Sequence, residues 1–179
     1  MSATDLIPSS WLQECHMQRI IVHWTAGSNN SSANDRKHYH ILIEGDGHLT
    51  RGTRTIADNM SAADGVYAAH TLNCNTQSIG VTLCGMLGAV ERPFNPGTQP
   101  INSRQFNEVL PAVLAQLCRF YKIPVTPHTV LSHAEVQGTL GIKQKGKWDI
   151  AALPWDSSMR DAKKIGDRFR KLTSSFLIP

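Results

Sequence analysis

The stretch Ile20-Ile21-Val22-His23-Trp24-Thr25-Ala26-Gly27 decides how the chain is read. Consecutive β-branched residues suit a pleated, packed surface, and the small, turn-prone residues after them close the segment. The reading is a buried strand that ends in His23 at the rim of a sheet, where loops bring the imidazole partners. Taken alone, His23 reads as a hydrogen-bonded core histidine. A second run of the same kind, Thr129-Val130-Leu131-Ser132-His133, also ends in histidine, and Lys147-Trp148-Asp149 follows it. Two imidazoles and a carboxylate from separate segments suit a catalytic zinc, which takes three protein ligands and keeps one position for water. The same trio also describes an iron(II) facial triad, but nothing in the sequence indicates an oxygenase barrel.

Four blocks lie along the chain in order: His23-Trp24-Thr25-Ala26; Tyr39-His40-Ile41-Leu42-Ile43 with Asp46-Gly47; His70 with Asn75 and Ser78-Ile79-Gly80-Val81; and Ser132-His133-Ala134-Glu135-Val136. Together they resemble the zinc-dependent N-acetylmuramoyl-L-alanine amidases. More narrowly, they are similar to the type 2 amidases, which include the phage lysozyme-type enzymes and share a fold with peptidoglycan recognition proteins. The resemblance covers roughly residues 18–150. It implies an α/β fold with a central mixed β-sheet flanked by helices, one Zn2+ ion, and hydrolysis of the amide between N-acetylmuramic acid and L-alanine in peptidoglycan.

The bulk numbers agree with that class. A chain of 179 residues reads as one catalytic domain, 1–179, large enough to bury a real core, with residues 1–17 as a lead-in arm. Hydrophobic residues at 41% and charged residues at 18% are ordinary for a soluble globular protein. A formal charge of +4 fits an anionic partner such as cell-wall polymer, although it reads first as a spread of solvated lysines. No nucleic-acid motif accompanies it, so no nucleic-acid partner is expected. No run approaches the apolar length of a membrane span. Residues 1–10 carry neither a basic start nor an apolar core of a secretory signal, so synthesis in the cytoplasm is expected, with action in the periplasm or cell wall if the enzyme is lytic. Cys15, Cys74, Cys84 and Cys118 lack paired metal spacing and read as reduced, partly buried residues; sequence leaves open a Cys74–Cys84 bridge.

Element signals follow the chain. Gly27 to Asn34 is a polar loop. Only fifteen residues, 24–38, separate His23 from Tyr39, so the helix the family places there is shortened or missing. Tyr39–Ile43, Glu44-Gly45-Asp46-Gly47 and Leu49–Arg51 read as a hairpin. Residues 53–77 are irregular, and Ser78–Cys84 reads as another central strand. From Asn102 the period becomes helical, with Phe106, Val109, Leu110, Val113, Leu114, Leu117 and Tyr121 on one face and Asn102/Gln105 resembling a capping box. Pro111 should kink this helix unless the helix begins there. A last helix is expected over about Met159–Phe176, with Ala162, Ile165, Phe169, Leu172 and Phe176 inward.

The resemblance assigns roles residue by residue. His23, His133 and Asp149 become the metal ligands, Lys147-x-Asp149 reproducing the family's lysine-x-ligand spacing; Asp156 is the rival for the third place. Zinc lowers the pKa of a bound water to about 7, and the tetrahedral oxyanion formed on amide attack needs fixed donors. By resemblance these are Tyr39 and Lys147, while Lys143 and Lys145 read as a solvated basic turn. Tyr39 also has a packing role open to it. Thr82 stands where some relatives carry a glutamate base, which brings the match closer to the lysozyme-type branch and leaves the proton donor unnamed. His70 and Asn75 are placed in the substrate groove, His70 being equally readable as a structural histidine. His40 reads as core or as support for a ligand; His16, His38, His48 and His128 look ordinary. The expected partner is peptidoglycan or a muropeptide, the expected state a monomer. An effector role would add an immunity or export partner. The competing classes are a binding-only peptidoglycan module and a cytoplasmic recycling amidase.

Overall fold

The computed structural model describes residues 5–177, and within them a five-stranded mixed sheet organises everything else. Its strands are β1 (Arg19–Trp24), β2 (Ile41–Ile43), β3 (Leu49–Arg51), β4 (Ser78–Leu83) and β5 (Val130–Ser132), in spatial order β3-β2-β4-β1-β5. β1 runs parallel to both β4 and β5, β2 runs parallel to β4, and only the β2–β3 hairpin is antiparallel. The central strands are covered on both faces, which is why they read as near-continuous apolar runs rather than alternating ones: all of β4 and all of β1 beyond Arg19 are buried.

The two faces differ in kind. Ile20, Val22, Ile79, Val81, Ile41, Ile43 and Val130 point to a large apolar core shared with helices α2 (Leu110–Tyr121) and α4 (Ala162–Ser175). The other face carries Ile21 and Leu131, which form a small cluster with Cys74 and Val136, and beside it a row of histidines. Its cover is helix α3 (His133–Leu140) and the irregular segment before β4.

The helix expected to be shortened after His23 is the single turn α1, Asp35–His38. The capping signal at Asn102 is realised in both directions: Gln105 N–H donates to Asn102 Oδ1 at 3.0 Å, and Asn102 N–H to Gln105 Oε1 at 2.9 Å. Pro111 is handled by a wide turn. Residues Gln105–Val109 are π-helical, so Pro111 falls at the start of the α-helical ladder, where its missing N–H is tolerated. In α4, Ile165 and Phe169 are inward as expected, but the buried stripe continues through Gly166, Arg170 and Thr173, while Leu172 and Phe176 are only half-buried. Within the described part of the N-terminal arm, Ile7 is buried and its backbone exchanges two hydrogen bonds with the Gln116 side chain of α2. All four cysteines are free. No helix among the described residues is long and apolar enough to cross a membrane.

Candidate metal centre

His23 is the fifth residue of β1 and pairs in register with Thr82 of β4. His133 follows β5 directly as the first residue of α3, so two neighbouring parallel strands deliver the two imidazoles to the same end of the sheet. The strand-to-helix corner is fixed by a capping box in which Ser132 N–H and hydroxyl donate to Glu135 Oε2 at 2.8 and 3.0 Å. Asp149 arrives from the loop after α3 and is pinned by its own carbonyl, which accepts from Ala134 N–H at 2.7 Å.

The three side chains meet. Asp149 Oδ2 lies 3.0 Å from His23 Nδ1 and 3.3 Å from His133 Nδ1, and one donor atom from each residue falls within 4.8 Å of the other two. All three residues are buried. Burial, the largest influence, drives the His23 pKa down to about 4, so its imidazole is neutral at ordinary pH. A neutral imidazole and an ionised carboxylate are the forms that bind metal.

Asp156, the rival third ligand, is turned away: it pairs with Arg168 at 3.2 Å and accepts from the Ser158 hydroxyl at 2.6 Å. Tyr39, half-buried at the end of α1, holds its ring 5.1 Å from the His23 ring. Burial, with the Asp149 charge beside it, raises the phenol pKa, so its O–H persists as a donor. Lys147 is exposed, with its charge close enough to be felt at His23. Lys143 and Lys145 are exposed as well.

His70 and Asn75 are both buried, His70 directly behind His23, while Asn75 also lines a cavity with Arg19, Tyr67 and Asn73. Gly80 makes the His70 position possible, because a Cβ there would stand 2.7 Å from His70 Cγ; without one, the ring settles onto β4. His70 Nδ1 then stands 3.2 Å from His23 Nε2, and Asn75 Oδ1 accepts from the backbone N–H groups of His70 and Thr71. His40 completes the row. Its Nδ1 accepts from Gly80 N–H at 2.9 Å, and its Nε2 donates to Asn59 Oδ1 at 3.0 Å. Sequence reasoning did not single out Gln144, which is buried between two exposed lysines with Oε1 2.9 Å from His133 Nε2. Nothing in its sequence context signals that contact.

The family model described as N-acetylmuramoyl-L-alanine amidase matches residues 13–150. The chain belongs to that family. Among solved structures, an N-acetylmuramoyl-L-alanine amidase, LysC from Clostridium intestinale URNW, is similar at 18% identity and a TM-score of 0.49, over 86% of this chain and 85% of that one. A mutant of PlyL is similar at 17% identity and a TM-score of 0.47, over 95% of each chain. The ectodomain complex of peptidoglycan recognition proteins LCa and LCx bound to tracheal cytotoxin gives 21% identity and a TM-score of 0.45, over 68% of this chain and 72% of that one. No curated protein matches the chain in sequence. As a member of this family, the amidase carries at its sheet rim a donor set that can hold a metal ion.

Proposed function

We propose that this amidase holds one zinc ion on His23, His133 and Asp149. With it, the enzyme hydrolyses the amide joining the lactyl group of N-acetylmuramic acid to L-alanine of the stem peptide. The observation that carries this reading is the convergence of two imidazole nitrogens and one carboxylate oxygen, from three separated segments, within 4.8 Å. That donor set is borderline in softness and short of four, which suits a catalytic zinc. Zinc held there supplies a Lewis acid and an activated water at neutral pH.

The protein's own groups do the rest. Tyr39, whose raised pKa keeps the phenol protonated, donates to the oxygen that gains charge as the carbonyl becomes tetrahedral. Lys147, exposed beside the cage, brings a positive charge to the same oxygen. The loop that carries Lys147 and Asp149 is anchored between them by Trp148, which packs edge-on against Trp24 with ring centroids 4.7 Å apart and has Phe94 against it. Retention of all three donors supports catalysis over a binding-only module.

In this reading residues 1–179 form one catalytic unit that acts as a monomer on cell-wall peptidoglycan, as a lytic enzyme of the endolysin or antibacterial-effector kind. The test is hydrolysis of purified sacculi and of soluble anhydro-muropeptides, each with added zinc and after chelation. Zinc-dependent release of free N-terminal L-alanine from sacculi is expected. Preference for the soluble fragments would move the role to wall recycling, and activity that survives chelation would remove the metal.

A further inference from the structure

Hydrogen bonds on the far side of the cage decide which nitrogen of each imidazole is free to bind. His70 Nε2 lies 3.3 Å from the Ser78 carbonyl, which only accepts, so this nitrogen carries the proton and His70 Nδ1 is bare. A bare Nδ1 facing His23 Nε2 at 3.2 Å calls for a proton on His23 Nε2. The Thr71 hydroxyl, 2.8 Å from His70 Nδ1 and 3.4 Å from His23 Nε2, sits in the same junction. On the other side, Gln144 Nε2 donates to the Leu72 carbonyl at 2.8 Å, which turns Gln144 Oε1 toward His133 and calls for a proton on His133 Nε2. Both ligand histidines thus present bare Nδ1 atoms to Asp149 Oδ2. Three acceptors face one another without a donor, and a cation among them satisfies all three.

We infer that the segment His70–Leu72, which supplies no ligand, is the positioning element of the metal centre. It sets the tautomer of His23 through the His70 ring and that of His133 through the Leu72 carbonyl and Gln144. The segment is itself fixed. Asn75 Oδ1 takes the N–H groups of His70 and Thr71, Cys74 N–H bonds to the Thr71 carbonyl at 3.1 Å, and Gly80 leaves room for the His70 ring. His70 and Gln144 are positioning residues in this scheme. Partners of this kind hold a ligating imidazole in one orientation and raise its basicity, and their loss costs about 10- to 100-fold in metal affinity.

The inference rests on the zinc reading, and its test separates the two. Nitrogen NMR of the zinc-free full chain reports the tautomers of His23 and His133 directly, and competition with a chromophoric chelator reports zinc affinity. Both rings are expected as the Nε2–H form. Gln144→Met and His70→Phe are each expected to weaken zinc about 10- to 100-fold, whereas Gln144→Glu, which restores an acceptor to His133, recovers most of the loss. An Nδ1–H ring at either histidine of the zinc-free wild type overturns the inference, as does wild-type zinc affinity in Gln144→Met. The wild-type tautomers decide it even where a variant fails to fold. A wild type with Nε2–H rings and no zinc uptake would leave the tautomer scheme standing and remove the metal from the proposed function.

Discussion

Arg170 of α4 grips Glu135 of α3 with both ends of its guanidinium, Nη2 to Oε1 at 2.9 Å and Nη1 to Oε2 at 3.3 Å, with both side chains buried. Burial alone would weaken the Arg170 charge, but the bonds to Glu135 and Asp167 more than compensate and raise its pKa. The same Glu135 carboxylate caps the helix that begins with His133, so the pair ties the C-terminal helix to the corner that carries a candidate ligand. Gly166 is part of the seat, since any side chain there would run into the Glu135 carboxylate. Breaking a buried pair from one side strands the other charge, at a cost of about 3–5 kcal/mol. Arg170→Met is therefore expected to lower the free energy of urea unfolding by that order. A loss under about 1 kcal/mol would show that the pair does not secure this corner.

The histidine row makes the metal-free protein sensitive to acid. Burial holds His40 near a pKa of about 4, against about 6.5 in an unfolded chain, and His23 is depressed to a similar value. Between those values the unfolded chain binds protons that the folded one does not, so stability rises with pH through that window and is lost as pH falls from about 6.5 to about 4. Each site contributes roughly 3 kcal/mol at neutral pH on this basis. Gln at position 40 can accept from Gly80 N–H and donate to Asn59 without titrating. Urea unfolding of chelator-treated protein should show His40→Gln losing less stability than wild type between pH 6.5 and 4. Parallel curves would place the titration elsewhere.

Much of this architecture is legible in the sequence because its physics is local. β1, β4 and β5 announce themselves as apolar runs since parallel strands are covered on both faces, and the fifteen residues before Tyr39, most of them a polar Gly/Ser/Asn loop, signal the shortened helix seen as the single turn of α1. The Asn102–Gln105 cap is likewise written in neighbouring residues. The remainder depends on distant partners. Arg170 is buried because Glu135 waits across from it, which no periodicity along α4 reveals. The inward turn of His70 depends on the bare backbone of Gly80, ten residues on, within a segment that has no period to read. Gln144 is hidden by its exposed lysine neighbours, and its contact with His133 exists only in three dimensions.

Gly80→Ala probes the floor of the metal centre. The added Cβ would lie 2.7 and 2.8 Å from the His70 ring carbons, and a ring closed in by His23, Thr71 and the Ser78 carbonyl cannot yield without leaving those bonds. Overpacking of this kind costs about 1–3 kcal/mol. Destabilisation in that range is expected, together with weaker zinc binding. Unchanged zinc affinity alongside the expected destabilisation would show that the His70 ring can shift without disturbing His23.

Tyr39 and Lys147 should be separable from the metal and from folding. Lys147 is exposed, and the Tyr39 hydroxyl has no hydrogen-bond partner among the described residues, so Tyr39→Phe keeps the ring beside His23 and removes only the donor. Losing one oxyanion donor costs about 10²–10³ in turnover. Tyr39→Phe and Lys147→Met are expected to fall by that order in kcat for amide hydrolysis, with zinc content and urea midpoint close to wild type. Because the phenol pKa is raised, the Tyr39 contribution should persist into alkaline solution, so the ratio of wild-type to Tyr39→Phe rates should stay level from neutral pH to about pH 10. A ratio that collapses below that pH would mean that the phenol ionises there and that the donor role belongs to another group.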